Sequence, residues 1–162
     1  MPTRTQDPVV PAAPTPGEVA AQVLLGFAKE PALPYLWPCK ENGYKGKDPD
    51  DGGMDCSGAV QWARYKAGLI KKTEVKRYNA DDLYRMLPRV SGKGTVVGDL
   101  VFYGTEQHVN HVMLLIGDGK CIGECGGGPR CTTVEISRKV GARMQVKKVA
   151  YRSDIVGFRR IA

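Results

Sequence analysis

The residue with the clearest chemical promise is Cys56, in the segment Gly53-Met54-Asp55-Cys56-Ser57-Gly58. It begins a predicted helix behind a glycine-rich loop. A thiol there feels the positive end of the helix dipole and unpaired backbone N–H groups, which favour the reactive thiolate. The same N–H groups can hold an oxyanion when sulfur attacks a carbonyl. The plainer reading is a small buried residue, the usual fate of a free cysteine. A nucleophilic cysteine also needs a base, and the chain has only two histidines, His108 and His111. Side-chain alternation in an extended segment sends them to opposite faces, so one of them at most can serve. His111 immediately precedes an apolar run that would hold its ring on a rigid strand, whereas His108 lies in the loop from Thr105 to Val109. His111 is the better base.

Those two residues need elements to bring them together. Val19, Ala20, Val23, Leu24 and Phe27 recur at helical spacing, which predicts a helix over about 18–29 that ends before Pro31 and Pro34. The next helix runs from Cys56 to about Gly68 with Asp55 as its N-cap, and Asn79 caps a short third one through Leu87. Strands follow: Leu100 to Tyr103, then Val112 to Ile116 as a run buried on both faces. After the turn Gly117-Asp118-Gly119, Lys120 to Cys125 returns as a hairpin partner. Thr132 to Ile136, Gln145 to Tyr151 and Val156 to Ile161 read as further strands. Helices first and strands last argue for an α+β fold on an antiparallel sheet. Residues 1–16 hold five of the eleven prolines and read as a flexible tail, leaving one domain over 17–162.

Three groups of residues, in this order, carry a resemblance. They are Met54-Asp55-Cys56-Ser57-Gly58, then Gly98-Asp99-Leu100-Val101-Phe102, then His111-Val112 running into Gly117-Asp118-Gly119. With Pro34-Tyr35-Leu36-Trp37 before them and Val156-Gly157-Phe158-Arg159-Arg160 after, the chain resembles the NlpC/P60 cysteine peptidases over roughly residues 18–161. The resemblance implies a papain-like α+β core and hydrolysis of amide bonds in peptidoglycan stem peptides, typically between γ-D-glutamyl and the diamino acid. It implies Cys56 as nucleophile and His111 as base. Asp55 and Ser57 would position the substrate's amine end, and Tyr35 would line the site with its hydroxyl near the oxyanion. The family's third polar residue, which orients the histidine, falls here on Gly123. Its neighbour Glu124 shares the face of His111 if the hairpin turn is the two residues Asp118-Gly119, and points away if the turn spans 117–119. The insertion Pro38 to Asp50, with Cys39, Tyr44 and three lysines, replaces a glycine-rich segment of relatives and forms either a groove wall or a surface loop.

Composition narrows the partners. The 162 residues are 42% hydrophobic and 25% charged, an ordinary globular balance. Net charge is +7, and 138–160 holds eight basic residues and one acid, Asp154. Such a face suits an anionic wall polymer. Aromatic residues are few and nucleic-acid motifs absent, so no nucleic-acid partner is expected. The five cysteines include Cys121, Cys125 and Cys131 in a cluster that lacks any C-x-x-C pair, so neither metal nor cofactor is expected. No apolar stretch reaches membrane-span length, and the first residues lack a signal-peptide core. The expectation is therefore a monomer made in the cytoplasm and delivered to the wall, first by a phage particle and second by injection. The competing readings are an amidase or acyltransferase on the same core, a non-catalytic virion module, and a charge-driven nucleic-acid binder.

Overall fold

The computed structural model describes residues 1–37 and 45–162. Among them four α-helices and a six-stranded antiparallel sheet are formed, as the helices-then-strands order predicts. The first helix, α1 (Pro16–Ala28), is set at its start by sequence-local chemistry. Thr15 accepts from Glu18 N at 3.2 Å, Glu18 returns the bond to Thr15 N at 3.1 Å, and Pro16 supplies the helical φ. Thr15→Ala removes one side of that box and is expected to lower stability by about 1 kcal/mol, read as a shift in the urea midpoint at constant m. Gly17 and Gly98 lie back to back: a Cβ on Gly98, whose φ is +96°, would sit 2.1 Å from Gly17 Cα. That contact seats the start of α1 against the loop ahead of the sheet.

The other helices are α2 (Cys56–Lys66), α3 (Ala80–Met86) and α4 (Val134–Val140). The strands are β1 (Arg89–Val90), β2 (Leu100–Gly104), β3 (Val109–Gly117), β4 (Lys120–Cys125), β5 (Arg143–Lys148) and β6 (Ile155–Arg159). Their order across the sheet is β1-β6-β2-β3-β4-β5. Leu24, Ala59, Val60, Ala63, Leu100, Phe102, Val112, Leu114, Ile122 and Met144 form the core between α1, α2 and one face of the sheet. Each large side chain buried there contributes about 1.5–3 kcal/mol. The opposite face carries a second cluster of Val101, Tyr103, Met113, Leu115, Cys121 and Cys125. Val112, Met113 and Leu114 are accordingly fully buried, as expected of a strand covered on both sides.

One predicted strand is a helix. Thr132 to Ile136 carries β-branched residues, yet Thr133 accepts from Ile136 N at 3.2 Å and caps α4, which Gly141 ends at φ +75°. Here capping chemistry at both ends outweighs strand propensity. The basic stretch is also less free than its composition implies. Arg152 pairs with Asp154 and Arg160 with Asp99, while Arg159 is buried, lies 3.7 Å from the Tyr84 ring centroid and donates to Tyr84 O.

Candidate active site

Cys56 is the first residue of α2, and Asp55 caps that helix by accepting from Gly58 N at 2.6 Å. The position of the thiol follows from a gap in the sheet. The β3–β4 ladder pairs Gly117 with Lys120, Leu115 with Cys121 and Leu114 with Ile122, and goes no further, while β4 stays paired with β5 out to Cys125. Where β3 leaves β4, the backbone N–H of Val112 turns to the Cys56 sulfur, as does that of Ser57. Cys56 therefore sits where the β3–β4 ladder ends, against the residue that follows His111.

Helix position does not make Cys56 a resting thiolate. Burial, reinforced by the charge of Asp55, pushes the thiol up to about 12; Lys47 and the two N–H groups pull the other way without prevailing. The sequence-based expectation of a lowered pKa is thus overturned by desolvation. His111 is shifted in the complementary sense. Burial first, and the Arg152 guanidinium second, lower it to about 4, with Asp154 opposing. The resting pair is a neutral thiol and a neutral imidazole. His108 is exposed, as its loop position predicts.

His111 shares its face of β3 with Met113 and lies opposite Tyr103 of β2, the two rings 5.7 Å apart. Its Nε2 is buried with no hydrogen-bond partner among the described residues. The hairpin settles which residue of β4 shares that face. The turn is indeed the two residues Asp118-Gly119, with Gly117 paired to Lys120, but a bulge between Leu115 and Gly117 restores the pairing of Leu115 with Cys121. Gly123 then shares the face of His111, and Glu124 points to the helix side with its partner Met144. Glu124 is therefore not placed to orient His111. The room a side chain at 123 would take is held by Met113, whose Cγ lies 3.2 Å from an ideal Cβ there.

Glu124 instead faces Asp55 and Tyr35, fully buried, with neither carboxyl oxygen bonded among the described residues. Burial and the neighbouring Asp55 raise it to about 10. Tyr35 is buried beside Cys56 and is raised far above its ordinary value by burial, so its hydroxyl keeps its proton. Asp55 and Ser57 are joined by a residue that motif reading did not single out. Lys47 is buried and donates to Asp55 Oδ1 at 3.0 Å and to Ser57 Oγ at 2.6 Å. It belongs to the 38–50 insertion, of which Cys39 and Tyr44 lie outside the described residues. Arg152 and Asp154 also act on His111, and the only sequence signal for them is that Asp154 is the single acid in a basic stretch.

Among the described residues no three His, Cys, Asp or Glu side chains gather where a metal would fit, and Cys56, Cys121, Cys125 and Cys131 are free thiols. Cys121 and Cys125 pack on the far face of the sheet, while Cys131 packs with Tyr35 and Ala142.

Known proteins share this fold. The bifunctional muramidase/DL-endopeptidase CwlT of Bacillus subtilis (strain 168) is 33% identical over 91 residues, which is 54% of this chain and 23% of that protein. The chain thus spans about a quarter of that relative. The structure of NlpC1 from Trichomonas vaginalis matches with a TM-score of 0.62 at 20% identity, over 93% of this chain and 45% of that one. The peptidoglycan hydrolase RipB from Mycobacterium tuberculosis matches with a TM-score of 0.61 at 23% identity, over 90% and 64% of the two chains. These similarities establish the papain-like α+β fold. The NlpC/P60 family model matches residues 33–149, from the strand pair at Tyr35 through the split sheet to the end of β5, and the chain belongs to this family of cysteine peptidases.

Proposed function

We propose that the protein is an endopeptidase of peptidoglycan stem peptides in which Cys56 is the nucleophile and His111 the base, and that it cuts the γ-D-glutamyl–diamino acid bond. The observation that carries this reading is the thiol at the first position of α2, facing Val112 N–H at the point where β3 parts from β4. The DL-endopeptidase activity in the name of the Bacillus relative supports it.

Because both groups are neutral at rest, proton transfer and attack are coupled. The Cys56 proton passes to His111 as sulfur bonds the carbonyl carbon. The oxygen becomes an oxyanion, stabilised by the Cys56 backbone N–H at the start of α2 and by the protonated Tyr35 hydroxyl. Collapse breaks the C–N bond, and His111 gives its proton to the departing amine. Water then adds to the thioester carbon while His111 takes its proton. The acid leaves, and the thiol regains a proton from the imidazolium.

Mass spectrometry of sacculi and soluble muropeptides, incubated with the protein or with Cys56→Ala, tests the reading. Fragments made only by the intact protein are expected, with masses that name the bond. Absence of new fragments from walls of differing diamino acid type, given folded protein, would refute it.

A further inference from the structure

We propose that Lys47 is a built-in occupant of the cation position beside Cys56, so that the site takes stem peptides whose leading amine is acylated and disfavours those with a free ammonium. This deepens the endopeptidase reading and rests on it.

Asp55 is a buried carboxylate one residue from the nucleophile, and Ser57 places a hydroxyl beside it. Such a pair is chemically suited to an ammonium group. Here the chain supplies its own. The side chains of Lys47 and Asp55 are 7% and 6% exposed, with Nζ and Oδ1 3.0 Å apart. Oδ1 also accepts from Ser57 Oγ at 3.3 Å and from Gly58 N at 2.6 Å, and Ser57 Oγ itself accepts from Lys47 at 2.6 Å. Lysine, carboxylate and hydroxyl close a triangle in which Oδ1 already has three donors. A substrate ammonium would have to displace a charge-assisted bond and bring a second cation beside the first.

The lysine is held by backbone as well as by charge. Gly46, its neighbour, accepts from Asp55 N at 2.9 Å, donates to Asp51 Oδ2 at 3.1 Å and pairs with Met54. Its carbonyl lies so close to α2 that a Cβ on Gly58 would stand 2.2 Å from it. The described part of the insertion thus threads the buried Lys47 into the site on a fixed stretch of chain. An N-acylated stem, as found while the peptide is still joined to the glycan, brings a neutral amide to this position and meets no repulsion. The enzyme is therefore suited to intact wall rather than to released peptides.

The test compares one soluble stem peptide with its first amine free and the same peptide N-acetylated. Wild type is expected to favour the acetylated peptide by roughly tenfold or more in kcat/KM, mainly through KM. Lys47→Met should erase or invert that ratio through a gain on the free-amine peptide, while Lys47→Arg keeps it. Lys47→Gln, which retains a donor for Asp55 without the charge, serves if the Met variant melts early. Equal turnover of the two peptides by wild type, or an unchanged ratio in a folded Lys47→Met or Lys47→Gln variant, would overturn the proposal. If wild type cuts no peptide and no sacculus, the endopeptidase reading fails separately. Calorimetry with Cys56→Ala then decides the role of Lys47: free-amine peptide should bind more tightly once Lys47→Met is added, and unchanged binding refutes it.

Discussion

Replacing His111 with alanine is expected to cut kcat/KM by roughly 10³-fold or more while leaving the fold intact, because the proposed mechanism passes the Cys56 proton to this imidazole. The size of the loss follows from the resting state. A thiol pushed up to about 12 supplies almost no thiolate at neutral pH, so attack depends on a base that moves with it. The pH profile should carry the same signature. His111 acts as a base only when neutral, and burial with Arg152 lowers it to about 4. Activity should be full well above that value and fall as pH drops through it, rather than near 6.5 as for an exposed histidine. A pH series of kcat/KM locates this limb. A half-maximal point near 6.5 would show that the imidazole is solvated in the working enzyme. Rapid alkylation of Cys56 by iodoacetamide at pH 7 would show a pre-formed thiolate, which is incompatible with the neutral pair.

Glu124→Gln is expected to make the protein more stable at neutral pH. The carboxyl is fully buried, has no partner among the described residues, and is raised to about 10 by burial and by Asp55. The folded chain therefore keeps this proton up to about pH 10, whereas the unfolded chain releases it above about 4.5. Below about 4.5 both states are protonated and nothing is lost. Between the two values each rising unit of pH favours unfolding, by up to about 1.4 kcal/mol. Glutamine has nearly the same shape and no proton to lose. The advantage of the variant should be slight at pH 5 and reach about 2–4 kcal/mol at pH 8, measured by urea denaturation at both values. Parallel pH dependence in the two proteins would mean that the carboxyl is ionised and paired. Since Glu124 faces away from His111, turnover by the variant should stay within about threefold of wild type. A loss on the scale of His111→Ala would return Glu124 to the catalytic machinery.

Which features were legible in the sequence follows from the range of the forces involved. The first helix could be read from its apolar spacing, those starting at Asp55 and Asn79 from short-range capping chemistry, and the hairpin from β3 to β4 from its Gly-Asp-Gly turn. Cys56 and His111 stood out by the same local logic, one at a helix start and one ahead of a buried strand. Where local signals competed, reading was weaker: Thr132 to Ile136 has strand composition, yet a cap at Thr133 and a stop at Gly141 make it a helix.

Three decisions belong to the tertiary structure. The direction of the Cys56 shift is one, because the helix dipole acts within a turn of chain while desolvation depends on every element that closes over the thiol. The face of Glu124 is another, since a single extra residue at the bulge near Ile116 exchanges the faces of β4 without any mark in composition. Lys47 is the third. In the sequence it is one of several lysines in a polar loop, and only the close approach of Gly46 to Gly58 carries its ammonium to Asp55 and Ser57. The α+β order, the nucleophile and base candidates and the family likeness were legible in the sequence, because these rest on neighbours in the chain. Packing decided the charges at the site, because burial and pairing depend on residues that meet only when the chain is folded.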